Sequence, residues 1–145
     1  GIFMPANYVP FDKEEWLRLE KKADRLRRYC LQTAVWGGSG HVGGSLSAMD
    51  CMTILYNRFM KIDPQNPDMP DRDRFVLSKG HCAVGYAPVL VDLGFMPEEE
   101  LKIFNLTGAK IGMHMDCNKV KAVFCREDQA ALLRRHFKPE LLIVS

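Results

Sequence analysis

The chain has 145 residues, of which 47% are hydrophobic and 26% are charged, a composition typical of one globular domain with a single core. Its formal net charge of +2 is too small to favour a nucleic-acid-binding protein, and no apolar run is long enough to span a membrane. Residues 1–8 lack the basic and then apolar order of a secretory signal peptide. The five cysteines are odd in number and scattered, which favours reduced thiols and a cytoplasmic location over a disulfide framework.

The first predicted element is a long helix that follows an arm of residues 1–10. Asp12, with Glu15 three positions later, has the pattern of an N-cap with a capping box. Apolar residues then recur at helical spacing and predict one buried face: Trp16, Leu19, Ala23, Leu26 and Cys30. The opposite face is basic, and we expect it to be solvated. Gly37 and Gly38 are expected to end the helix.

A glycine-rich stretch follows, with five glycines within eight positions and His41 among them. Glycine lets a ligand approach the backbone closely, and imidazole suits proton transfer near neutral pH. The segment from Ser47 to Asp50 repeats the capping pattern and predicts the start of a second helix. Its apolar stripe comprises Met49, Met52, Leu55, Tyr56 and Phe59. The turn-forming residues 63–67 should follow the end of this helix.

A strand, a turn and a helix are predicted next. The apolar run 75–78 indicates a short buried strand, and Gly80 and His81 form the turn into a helix that carries Tyr86, Val89, Leu90 and Leu93. This order places His81 near a helix N-terminus, where free N–H groups and the helix dipole favour anions. Pro97 with three following glutamates predicts a further helix start.

The last part of the chain differs in character. Residues 107–118 contain His114 and several helix breakers, and are predicted to form a loop. Residues 121–145 form a divergent α/β tail. Its last apolar run, 141–144, is strand-like and needs a neighbour to cover it, so we expect the chain to associate. Because native domains rarely stop directly after such a strand, the sequence is expected to be a fragment or a truncated product.

Three histidines, each flanked by glycine, are the candidate catalytic residues: His41, His81 and His114. Together they indicate a polar site for an anionic ligand that carries hydroxyl groups. Any one of them could equally be a hydrogen-bonded structural histidine. His114 and Cys117 stand three positions apart, but no second pair with zinc-ligand spacing accompanies them, which argues against a zinc site.

The motifs that contain these histidines resemble those of transketolases. The resemblance rests on three blocks that agree in order and spacing: residues 39–47 (SGHVGGSLS), residues 71–81 (DRDRFVLSKGH) and residues 112–114 (GMH). It covers residues 11–120 and is closest to the split type, in which an N-terminal subunit carries the diphosphate-binding half and a C-terminal subunit completes the site.

The resemblance implies a thiamine diphosphate-dependent enzyme that uses a divalent metal, commonly Mg²⁺, and transfers a two-carbon ketol unit between sugar phosphates. It implies an α/β fold, a parallel sheet flanked by helices, of which this chain would hold a part, and a site at a dimer interface. By the same resemblance, His41 faces the reacting carbons of the substrate. His81, with Gly80, lies against the cofactor diphosphate, and His114 contacts substrate hydroxyls.

The chain also departs from the family pattern. The family continues with a glycine-rich loop over the cofactor, then a Gly-Asp-Gly segment and an asparagine that ligate the metal, and residues 121–145 contain none of these. The resemblance therefore implies no metal ligand in this chain, and the chain is expected to need a partner subunit or the missing segment. Three alternatives stay open: a deoxyxylulose-phosphate synthase, a non-catalytic interaction protein that keeps the transketolase core, and an α/β domain with structural histidines.

Overall fold

The computed structural model describes residue 10 and residues 12–75, 77 and 79–112. Its regular elements there are α1 (Lys13–Gly37), α2 (Val42–Ile54), a π-helical turn (Leu55–Phe59), α3 (Ala83–Leu93) and α4 (Glu99–Lys102). In this part of the chain, no helix is long and apolar enough to cross a membrane. The predictions for the arm 1–9, for His114 and for the tail 121–145 lie outside the described residues.

Helix α1 begins and ends where the sequence predicts. The Asp12 carboxylate accepts a hydrogen bond of 2.7 Å from the Glu15 N–H. At the other end, Gly38 has a φ of 66°, a conformation that glycine adopts without strain. The predicted buried face is confirmed for Leu19, Ala23, Leu26 and Cys30. It is wrong for Trp16, which is 61% exposed because it borders an open groove between α1 and α2 beside Ile54.

Helix α2 begins five residues before the predicted start at Ser47. Its first turn includes two glycines, whose low helix propensity is offset by the packing of Ser45 against the residues around Cys82. The Ser47 hydroxyl donates to the Gly44 carbonyl within the helix, 3.1 Å away, and caps nothing. Of the predicted apolar stripe, Met49, Met52 and Tyr56 are buried. Phe59 is exposed, since the chain changes from α-helical to π-helical winding after Ile54.

Helix α3 is the centre of the core. All of its residues from Ala83 to Leu90 are buried, as expected for a helix that is apolar on every side. Helices α1 and α2 pack against it and against each other. Residues at and just after α4 complete the core with Leu101, Phe104 and Ile111. The predicted helix after Pro97 is thus confirmed as α4, although it is only one turn long.

The described residues contain no strand, so the predicted parallel sheet is unconfirmed. In the run 75–78, Phe75 and Leu77 are described and neither is in a strand. The ring of Phe75 lies 5.6 Å from the ring centroids of both Tyr56 and Tyr86. The two tyrosine hydroxyls are hydrogen-bonded to each other. Phe75 is therefore held by aromatic packing, with no neighbouring strand among the described residues to pair with it.

The thiols of Cys30, Cys51 and Cys82 are free, and only Cys51 is exposed. Burial raises the pKa of Cys30 from 9.0 to about 11, and nearby Cys82 adds to the rise. Thiolates, not thiols, react with alkylating agents. We expect iodoacetamide at about pH 8 to modify Cys51 and leave Cys30 intact in the folded chain, as measured by peptide mass spectrometry. Equal labelling rates for the two thiols would contradict the buried position of Cys30.

The same pKa shift predicts how stability depends on alkaline pH. The unfolded thiol loses its proton near its ordinary pKa of 9.0, whereas the folded thiol keeps its proton up to about pH 11. The contribution of Cys30 to the free energy of unfolding is therefore full below pH 9 and is lost as the pH rises from 9 to 11. Denaturant titrations across this range should show a shallower decline in Cys30→Ala than in the parent chain.

Candidate active site

The structure brings two of the three candidate histidines together. The ring centroids of His41 and His81 lie 4.9 Å apart and the ring planes are inclined by 48°, although the residues are 40 positions apart in the chain. Both side chains are exposed. His41 is the N-cap residue of α2, and His81 lies in the turn that leads into α3. The two rings are thus neighbours, and their shared role in a polar site stays a prediction.

Ser45 ties the two histidine-bearing segments to each other. Its hydroxyl is buried and lies 3.5 Å from the His41 carbonyl oxygen and 3.4 Å from the Cys82 carbonyl oxygen. Gly85 allows this contact, since a Cβ at position 85 would lie 2.8 Å from the Ser45 hydroxyl oxygen and closer still to Ser45 Cβ. The first turn of α2 and the start of α3 are thus in direct contact, and this contact holds the backbones of the two histidine-bearing segments close together.

The backbone at His81 is in the left-handed region, with a φ of 53°. Histidine adopts this conformation more often than most residues, but it still costs free energy relative to an ordinary backbone. Gly40, just before His41, is a close-packed position. A Cβ there would lie 3.2 Å from Val84 Cγ2 and 3.3 Å from Ala34 Cβ. Close packing therefore restricts the backbone just before His41, and the turn before α3 holds His81 in the left-handed conformation.

The N-terminus of α2 is suited to an anion. No side chain caps it and its first turn carries no acidic residue, so free N–H groups and the positive end of the dipole remain there. Lys79 reaches across this turn. Its ammonium donates to the Ser47 hydroxyl at 2.9 Å, and a Cβ on Gly44 would lie 3.2 Å from Lys79 Cε. One cation, one helix N-terminus and two imidazoles thus lie in neighbouring positions.

The remaining predicted site residues are only partly placed. Gly80 lies in the exposed turn between Lys79 and His81, whereas His114 lies outside the described residues. Within the described ranges, no group of three or more His, Cys, Asp or Glu side chains could hold a metal ion. Lys79 was not among the predicted site residues, although its position two residues before His81 was a usable signal.

The chain belongs to the transketolase family. The family model described as "Transketolase, thiamine diphosphate binding domain" matches residues 20–125, a range that contains all three glycine-flanked histidines. The described helices share their fold with part of a transketolase. The chain has a TM-score of 0.69 and 30% sequence identity to a transketolase from Leishmania mexicana, over 72% of this chain and 16% of that one.

Two similar proteins are named as transketolase subunits. The chain is 39% identical to the 6-deoxy-6-sulfo-D-fructose transketolase subunit SqwG of Clostridium sp. (strain MSTE9), over 76% of this chain and 40% of that protein. It is 36% identical to one subunit of the apulose-4-phosphate transketolase from Actinobacillus succinogenes, over 72% and 38% respectively. Human transketolase is 39% identical over 66% of this chain and 15% of its own length. The chain therefore spans at most about two fifths of these relatives.

Proposed function

We propose that this chain is the N-terminal part of a thiamine diphosphate-dependent transketolase that transfers a two-carbon ketol unit between sugar phosphates. The observation that carries the proposal is the His41–His81 ring pair, 4.9 Å between centroids, beside an uncapped helix N-terminus in a chain of this family. The two relatives named as subunits support a split enzyme, in which a separate C-terminal chain and a second copy of the assembly complete the site. A cytoplasmic location remains part of the proposal.

The imidazoles have a role that follows from the chemistry. Thiamine diphosphate, when bound, would supply the carbanion chemistry that a two-carbon transfer between sugars needs. As charge develops on the carbonyl oxygen, ring N–H groups that already point at it lower the barrier. His41 and His81 can each donate from a ring nitrogen and can also accept the proton of a sugar hydroxyl. We assign His114 to the substrate hydroxyls.

The described residues fit the diphosphate of the cofactor. A diphosphate needs N–H donors and cationic charge, and the first turn of α2 with Lys79 offers both. His81 and Gly80 would lie against it from the turn before α3. The same residues do not fit Mg²⁺, because Mg²⁺ takes oxygen ligands including carboxylates and the described part of the chain has no suitable acidic group.

The proposal is tested by reconstitution. The chain is mixed with a C-terminal transketolase subunit, thiamine diphosphate and Mg²⁺, and ketol transfer from a ketose phosphate to an aldose phosphate is measured. We expect transfer only when a cofactor segment with metal ligands is also supplied, either in the partner or by fusion to the chain. A fully supplied mixture that forms a stable complex but shows no transfer would contradict the proposal.

A second candidate function is a non-catalytic interaction protein that keeps the transketolase core. The observation that favours it is that residues 121–145 contain neither the Gly-Asp-Gly segment nor the asparagine that ligate the metal in the family. Under this alternative, the chain would bind the C-terminal partner and leave the activity of that partner unchanged or lower it. The reconstitution assay therefore separates the two functions, because only the first predicts a gain in transfer.

The 145-residue chain alone should bind thiamine diphosphate and Mg²⁺ weakly or not at all. Diphosphate carries several negative charges that a bound metal normally neutralises, and Lys79 supplies only one positive charge in return. Calorimetric titration should give no Mg²⁺-dependent heat at micromolar cofactor. A Mg²⁺-dependent Kd of about 1 μM or lower, corresponding to about −8.2 kcal/mol, would show that the chain holds the metal after all.

A further inference from the structure

The segment after α4 contacts the glycine-rich stretch through Asn105. The Asn105 side-chain amide donates to the Ser39 hydroxyl at 3.1 Å, across 66 positions of sequence. Ser39 stands two residues before His41. The family motifs used above do not include Asn105, and the proposed chemistry gives it no role. The contact between Asn105 and Ser39 is therefore not part of the proposed catalytic machinery, although it lies next to it.

Asn105 holds an unusual backbone conformation for a residue with a side chain. Its φ is 58°, and within the described residues only His81 is another non-glycine residue with positive φ. Asparagine tolerates this region better than most residues, although glycine would adopt it without cost. The Asn105 N–H donates to the Ile111 carbonyl at 2.8 Å. The left-handed turn thus closes a loop and at the same time aims the amide at Ser39.

The residues that carry the Asn105 loop are anchored in the core. Phe104 and Ile111, on either side of the loop, are fully buried. Phe104 also packs tightly against the end of α1, since a Cβ on Gly37 would lie 2.6 Å from the Phe104 carbonyl oxygen. Residues 37 and 39 therefore meet residues 104 and 105 side by side. Because the loop is anchored in the core, the amide of Asn105 can act as a fixed point for the exposed Ser39.

We propose that Asn105 is a positioning residue, which fixes the glycine-rich stretch through Ser39 and so sets the position of the His41 ring relative to His81. The importance of the ring pair for activity rests on the proposed function. The positions of the rings do not, because they can be measured without an activity assay. Within the described residues, the Asn105 amide is the hydrogen-bond partner of the Ser39 side chain. Without that amide, the exposed residues Gly38 and Ser39 would lose this contact, and the close packing of Gly40 alone would hold the backbone just before His41.

The experiment is NMR of the histidine rings in the 145-residue chain, with each ring assigned from single His→Gln variants. The test variants are Asn105→Gly, which keeps the positive φ and removes the amide, and Ser39→Ala, which removes the acceptor. We expect each to shift the His41 ring resonances and to weaken cross-relaxation between the His41 and His81 ring protons. The double variant should show no larger change than either single variant, because both remove one interaction.

Two further variants separate positioning from general destabilisation. Asn105→Asp should give the same spectrum as the parent chain. Aspartate tolerates the left-handed region, and its carboxylate can accept a hydrogen bond from the Ser39 hydroxyl. The matched control is Asn66→Gly, which replaces an exposed asparagine of the turn that precedes residue 69 and should leave both rings unchanged. Unfolded variants are recognised by loss of dispersion throughout the amide spectrum.

The proposal is wrong if Asn105→Gly folds and leaves the His41 resonances and the ring cross-relaxation as in the parent. It is also wrong if the effects of Asn105→Gly and Ser39→Ala are simply additive, because independent effects would mean that the amide does not act through Ser39. A failure of the ketol-transfer assay would leave this spectroscopic result untouched, so the two proposals can fail separately.

Discussion

Replacing Gly85 with alanine should lower the free energy of unfolding by about 1–3 kcal/mol, the usual cost of overpacking a well-packed core. In most helices the same change stabilises by about 0.5–1 kcal/mol. The sign is reversed here because the added methyl group would lie against Ser45, with its hydroxyl oxygen only 2.8 Å and its Cα 3.1 Å away. Backbone atoms cannot rotate aside, so α2 and α3 would have to separate.

Gly43→Ala is the matched control, since Gly43 is also helical and a Cβ there would meet nothing within 4 Å. It should raise the free energy of unfolding by about 0.4–1 kcal/mol. Urea denaturation of both variants measures the difference. The second-site change Ser45→Gly should recover part of the loss in Gly85→Ala, because it removes the side-chain atoms that clash. If Gly85→Ala were as stable as Gly43→Ala, the close contact between α2 and α3 would be wrong.

The elements that could be predicted from the sequence are those with local causes. Both ends of α1 depend on residues within one turn: the Asp12 cap and the left-handed Gly38. Most of its buried face follows from helical spacing alone, because the core covers α1 from Leu19 onwards. The turn that carries His81 into α3 was likewise predictable, since glycine and the apolar run after it mark the boundary.

The start of α2 could not be predicted because its cause is tertiary. A glycine-rich stretch has low helix propensity, and this one is helical where Ser45 packs against residues near Cys82, 37 positions later in the chain. The ion pairs of the basic face of α1 could not be predicted from the sequence either. Lys22 and Arg25 both pair with Asp92 of α3, at 2.9 and 2.6 Å, and spacing within α1 gives no sign of an acid supplied by another helix.

The candidate site could be predicted as a set of residue types but not as an arrangement. Glycine-flanked histidines indicated a polar site, and their resemblance to family motifs implied that they act together. The 4.9 Å ring spacing of His41 and His81 depends on two helix starts that meet through Ser45. Lys79 and Asn105 were missed, because a lone lysine or asparagine in a loop usually has no special role.

In a completed enzyme, replacing His81 with alanine should lower turnover by about 10²-fold or more, the usual cost of losing a preorganised donor at a developing negative charge. The completed enzyme is this chain supplied with the cofactor segment and the C-terminal half, by fusion or as a partner subunit. KM should change less than kcat, because His81 is proposed to act where charge develops in the transition state rather than on the bound substrate.

Alanine variants of the other site residues should change kcat and KM in different proportions. His114→Ala should act mainly on KM, because hydroxyl contacts exist in the ground state as well as in the transition state. His41→Ala should fall between the two, since His41 is proposed to face the reacting carbons from a glycine-rich stretch. Lys79→Ala should weaken cofactor binding more than it changes kcat at saturating cofactor, because its ammonium is proposed to neutralise the diphosphate.

The control is His136→Ala, which lies beyond residues 20–125 that match the family and should change neither kcat nor KM. Steady-state kinetics of each variant are measured after circular dichroism has confirmed that it folds. These kinetics test the proposed role of the His41–His81 pair most directly, because the distance between the two rings is known and each variant removes one ring. The assignment would be wrong if His41→Ala, His81→Ala and His114→Ala all left turnover unchanged. It would also be wrong if His136→Ala lowered turnover as much as His81→Ala. Either result would mean that the ring pair is structural and that other residues carry the chemistry.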